Sequence, residues 1–155
     1  MPFSEHLPPA LVLVCAIGAF LLVKLVGYAA AASVLRRAFP DTSTGAWKAG
    51  AIRVAIGVAG GLMYVALWNL LYHPHYEPGE EPSAWVHVVW QLGLFGTRVA
   101  SWWALFAFHF PGAVRESKRG WFCAFAGALW SHGLDLPAMI ALRLMVGLLV
   151  CPLTG

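Results

Sequence analysis

PALVLVCAIGAFLLVKLVGYAAAASVL, residues 9–35, carries a single charge, Lys24, in an otherwise apolar and small-residue run. A bilayer core of about 30 Å is crossed by roughly 20 helical residues at about 1.5 Å each. This run is long enough to cross. Backbone N–H and C=O groups cannot stay unpaired in hydrocarbon, so a crossing segment is either a helix or a strand of a closed barrel. A run of this length without period-two alternation reads as a helix.

Three further segments invite the same reading: 47–71, 85–110 and 121–150. The composition agrees, with 60% hydrophobic and 11% charged residues arranged in long blocks, not in the narrow stripes of soluble amphipathic helices. The connections are short, so successive segments are expected to run antiparallel and pack together. The expected fold is all-α: a polytopic membrane protein whose residues 1–155 form a single four-transmembrane-helix antiparallel bundle.

Charge placement orients it. Arg36, Arg37 and Lys48 flank the first loop, and Arg115, Lys118 and Arg119 occupy the third, whereas the N-terminus, second loop and C-terminus have no Lys or Arg. By the positive-inside rule the first and third loops are cytoplasmic and both termini lie on the non-cytoplasmic side. Trp47, Trp68, Trp85 and Trp121 fall near span ends, where indoles favour the interface. The expected location is a plasma membrane, specifically a bacterial inner membrane. A cleaved signal peptide is the competing reading of the first span, with the small residues 29–33 as the cleavage site. No Lys or Arg precedes Lys24, so the segment reads better as a retained anchor. The net charge of +3 then reflects topology, and no nucleic-acid partner is expected. Cys15, Cys123 and Cys151 have no CxxC spacing and read as small buried thiols.

Four basic residues remain, one in each span: Lys24, Arg53, Arg98 and Arg143. A charge near the bilayer centre costs about 2.5–3.5 kcal/mol even on the lenient insertion scale. Asp135 is the one acidic residue inside any span, and counting along the helices puts it at the depth of Arg98. An Arg98–Asp135 ion pair facing the bundle interior is expected, with His132 and Lys24 beside it. His87, Gln91, Arg98, Ser101, Trp102 and His109 fall on one face of the third span, and His132, Asp135, Met139 and Arg143 on one face of the fourth. Gly57 and Gly61 form a GxxxG that would let another helix approach. Gly133 and Pro137 bracket Asp135, so a kink or unwound turn is expected there.

YHPHYEPGEEPSAWVH, residues 72–87, gathers His73, His75, Glu77 and His87, which suit Zn(II) or Cu(II) but follow no standard zinc spacing. A solvated acidic loop is the simpler reading. No two histidines sit at matching depth on facing spans, so haem is not expected. No triad order surrounds Ser101 or Ser131, so whether the chain catalyses anything stays open.

Four cations against one acid leave an excess that something must balance. The expected function is an integral binding or transport-type protein that holds an anionic lipid-like or small anionic ligand in a cationic, aromatic-lined cavity. Its ligand-binding residues would be Lys24, Arg53, Arg98, Trp102, His132, Asp135 and Arg143, and its partners membrane lipids. One alternative is a non-catalytic subunit or assembly factor of a larger membrane complex, or a homo-oligomer, with the GxxxG face as its docking surface. Another is a metal-dependent membrane enzyme using the outer His/Glu loop. A purely structural role for the buried charges is the plainest account.

Overall fold

Helices α1 (Pro9–Ala38), α2 (Ala46–Tyr72) and α3 (Ala84–His109) form where residues run on for many turns without an internal proline. They belong to a computed structural model that describes residues 8–72 and 83–150. α1 opens with proline at its first position, where the missing N–H costs nothing. α3 stops because Pro111 disfavours a helical residue before it, and Pro111 then starts the one-turn α4 (Pro111–Arg115). α5 (Ser117–Gly133) and α6 (Asp135–Val150) make up the last rod.

Every element among the described residues is helical. Two helices, Ala10–Ala38 and Ala46–Leu71, are long and apolar enough to cross a membrane. The third expected span is present as α3, but His87, Gln91, Arg98 and Ser101 dilute its apolar character. The fourth is not one helix. It is divided at Leu134 into pieces of 17 and 16 residues, each shorter than a crossing needs. The divide falls inside the stretch where sequence anticipated an irregularity. Pro137 lacks the N–H that Gly133 would accept from, and as the third residue of α6 it sits where a helix tolerates proline.

The rods pack as a closed ring: α1 against α2, α2 against α3, α3 against α5, and α6 back against α1. Small residues line the contacts. Ala16, Ala29 and Ala32 of α1, Ala49 of α2, and Gly120, Ala124 and Ala128 of α5 are all buried. A Cβ at Gly50 would stand 2.9 Å from the backbone nitrogen of Ala29, so α1 and α2 approach this closely only because Gly50 has none. Trp102, Phe106 and Phe110 fill the remaining centre near one end. The large aliphatic and aromatic side chains mostly face outward, with Leu62 67% and Phe122 74% exposed. That is the reverse of a water-soluble core, whose large side chains turn inward.

The two basic loops meet at one end of the ring. Phe39 of the first packs near Gly112, Arg119 lies 5.0 Å over the Phe39 ring, and Thr44 Oγ1 is 3.2 Å from His109 Nδ1. Arg36, Arg37, Lys48, Arg115, Lys118 and Arg119 are all exposed at this end.

Candidate functional site

Lys24, Arg98 and Asp135 converge from α1, α3 and the start of α6. The carboxylate is shared. Lys24 Nζ bonds Asp135 Oδ1, and Arg98 Nη2 lies 2.7 Å from Oδ2. The Arg98–Asp135 pair anticipated from depth alone therefore forms, with Lys24 as a full second partner. The broken rod explains why these charges gather here. Asp135 is the first residue of α6, where a helix favours a carboxylate. Lys24 Nζ also donates to the Ser131 carbonyl at 3.1 Å, in the last turn of α5, where a helix favours a cation.

Ser131 is the second hub. Its hydroxyl accepts from Trp102 Nε1 at 3.0 Å and from Arg53 Nη2 at 3.4 Å, and donates to the Gly127 carbonyl at 2.9 Å. Sequence reading passed over its role. The signal was its position four residues before Asp135, on the same helical face.

Arg53 is 1% exposed and has no carboxylate partner among the described residues. Its guanidinium carbon lies 5.0 Å from the centre of the Tyr28 ring and 4.9 Å from that of Trp102, a cation–π sandwich. Nε and Nη1 have no acceptor among the described residues, nor does Arg98 Nη1. Trp102, itself 1% exposed, supplies this aromatic wall from behind.

A cavity of about 320 Å³ opens beside the ion pairs, between α1, α2 and α3. Lys24, Arg98 and Asp135 line its middle, with Phe20, Leu62 and Leu94 toward one end and Tyr28, Val54 and Ser101 toward the other. Gly57, Gly60 and Gly61 form much of the α2 wall.

Several expected contacts fall elsewhere. Arg143 is exposed on α6, eight residues and so about 12 Å beyond Asp135, and does not line the cavity. His132 is also outside it: the ring stacks 5.7 Å from Phe95, with Nδ1 at 3.8 Å from Asp135 Oδ2. Arg53 and Trp102 stand behind the cavity wall and do not line it. The polar face of α3 is buried only in its second half, and His87 and Gln91 are exposed. Among the described residues no other helix packs on the GxxxG. A Cβ on Gly57 would lie 2.9 Å from Arg53 Nη1, and one on Gly61 would meet nothing within 4 Å, so these glycines make room for a guanidinium and for the cavity.

His73, His75 and Glu77 lie outside the described residues, and no cluster of three metal-ligating side chains occurs among the described ones. Compared with family models, curated proteins and solved structures, the chain matches none.

Proposed function

We propose that this chain is an integral membrane protein of four crossings, α1, α2, α3 and the broken α5–α6 rod, with both termini on the non-cytoplasmic side. It binds an anionic, lipid-like ligand in the cavity beside Lys24 and Arg98. The observation that carries this reading is the charge count around the cavity. Lys24, Arg53 and Arg98 cluster with one acid, Asp135, and both of its oxygens are already engaged. One positive charge is left uncompensated on the wall itself and a second on Arg53 behind it, beside lining that is otherwise mostly apolar and aromatic. An anion with an apolar body satisfies both halves of that wall.

The test is gentle purification followed by mass spectrometry of the released amphiphiles, with Arg98→Ala and Asp135→Ala beside the parent chain. A stoichiometric anionic amphiphile should accompany the parent, disappear from Arg98→Ala, and persist or increase in Asp135→Ala. Equal loss from both variants together with a fall in stability, or no anion released by the parent at all, would reduce the cluster to a structural ion pair.

A further inference from the structure

We infer that the basic end of the α1–α5 face binds an anionic phospholipid of the adjoining leaflet, with its phosphate between Arg37 and Arg119 and an acyl chain in the groove that leads away from them. This inference rests on the membrane-spanning part of the reading above. It does not rest on the ligand beside Lys24 and Arg98, because the two cavities share no lining residue.

α1 meets the last rod mainly through α6. Beside α5 a groove of about 340 Å³ is left open, walled by Ala30, Val34 and Leu35 of α1 and by Cys123, Ala126 and Trp130 of α5, with the buried Trp102 beneath. Its lining is apolar apart from one thiol, and Val34 and Trp130 form exposed lips. Both ends are defined by contacts. At the inner end Trp130 Nε1 donates to the Gly27 carbonyl at 3.0 Å and ties the two helices together. At the other, Arg119 of α5 lies 5.0 Å over the ring of Phe39, which follows Leu35 by one turn.

Helical spacing carries a cation onto each wall at that end. Arg37 continues the Ala30–Val34 stripe of α1 at steps of four and three, and Arg119 heads the stripe that runs through Cys123, Ala126 and Trp130 at steps of four, three and four. Arg119 also bonds Glu116 at 3.0 Å, an exposed pair that solvent and salt weaken. The whole end holds six exposed cations against two acids, Asp41 and Glu116, so a headgroup with net negative charge fits it and a zwitterionic one does not. Guanidiniums suit a phosphate because their N–H groups meet its oxygens in pairs. A second copy of this chain is a poorer occupant. Inserted with the same orientation, it would bring its own basic end level with this one, and like charges would face each other.

The test uses the full chain, freed of lipid in neutral detergent and titrated with dioleoyl phosphatidylglycerol or dioleoyl phosphatidylcholine, with bound lipid counted by native mass spectrometry. Phosphatidylglycerol should be held about tenfold more tightly than phosphatidylcholine. Each basic residue at a membrane surface is worth about a fivefold change in affinity, so the double variant Arg37→Gln, Arg119→Gln should lose roughly 25-fold. Arg143→Gln, which removes an exposed cation on α6, should leave phosphatidylglycerol binding as it was. A phosphatidylglycerol bearing a diazirine on its acyl chain should label residues 30–35 and 123–130, and because this arm needs no variant it decides the matter if the double variant does not fold. Labelling spread evenly over the outward faces would overturn the inference, as would equal retention of the two lipids or competition by glycerol phosphate as strong as that of the intact lipid. A dimer whose contacts map to this groove would give the face to a second copy instead. Loss of phosphatidylglycerol from Arg98→Ala, with retention in the double variant, would move the lipid to the Lys24–Arg98 cavity: this inference would fall and the broader anion-binding reading would stand.

Discussion

Arg53 is a buried cation whose neighbours are two aromatic rings and a serine hydroxyl, with no carboxylate among them. A planar guanidinium can lie between Tyr28 and Trp102 while one of its nitrogens reaches Ser131, whereas a lysine ammonium could not do both. Arg53→Lys should therefore cost about 1–3 kcal/mol of stability, read as a fall in melting temperature in detergent, while Arg143→Lys should be silent. Ser131→Ala removes the acceptor that Trp102 Nε1 and Arg53 Nη2 share, and should cost about 1–3 kcal/mol by the same assay. Asp135→Asn strips the charge that Lys24 and Arg98 share. Its expected cost is about 3 kcal/mol, the low end for a broken buried pair, because the side chain stays 33% exposed. The Arg98–Asp135 partnership could be read from sequence because depth along a helix follows from counting. Ser131 could not be, since a hydroxyl's partners depend on which rings happen to face it.

The α5–α6 rod shows how far an element can be anticipated. Gly133, Asp135 and Pro137 announced an irregularity, and Leu134 is where the helix is interrupted. What counting could not show is that Lys24 and Asp135 would each settle on the helix end suited to its sign. The glycines were harder still, because spacing alone does not say what stands opposite them. Gly127 faces the Trp102 indole, with a would-be Cβ 2.6 Å from the ring, and Gly50 faces the α1 backbone. Gly127→Ala and Gly50→Ala should each lower stability by about 1–3 kcal/mol through overpacking, whereas Gly61→Ala should lie within about 0.5 kcal/mol of the parent. Comparing the three melting temperatures separates contact glycines from cavity glycines.

For the whole molecule, the all-helical architecture was legible because long apolar runs permit little else, while the fourth run's division and the weak apolar character of α3 left two helices that qualify as spans by length and composition. The charge asymmetry of the loops has a structural counterpart in their meeting at one end, through Phe39, Gly112 and Arg119. Under the four-crossing reading, a reporter active only outside the cytoplasm should be active when fused to the C-terminus and silent when inserted at 41–44. The opposite pattern would invert the proposed orientation.

The ring closes when α6 meets α1, so the chain's first helix waits for its last. During synthesis Lys24, Arg53 and Arg98 all emerge before Asp135, and until α6 arrives they have no acid among the described helices to share. A chain halted before residue 135 would therefore hold those three cations without the carboxylate that joins α1 and α3 to α6, and should be less stable in detergent than the parent.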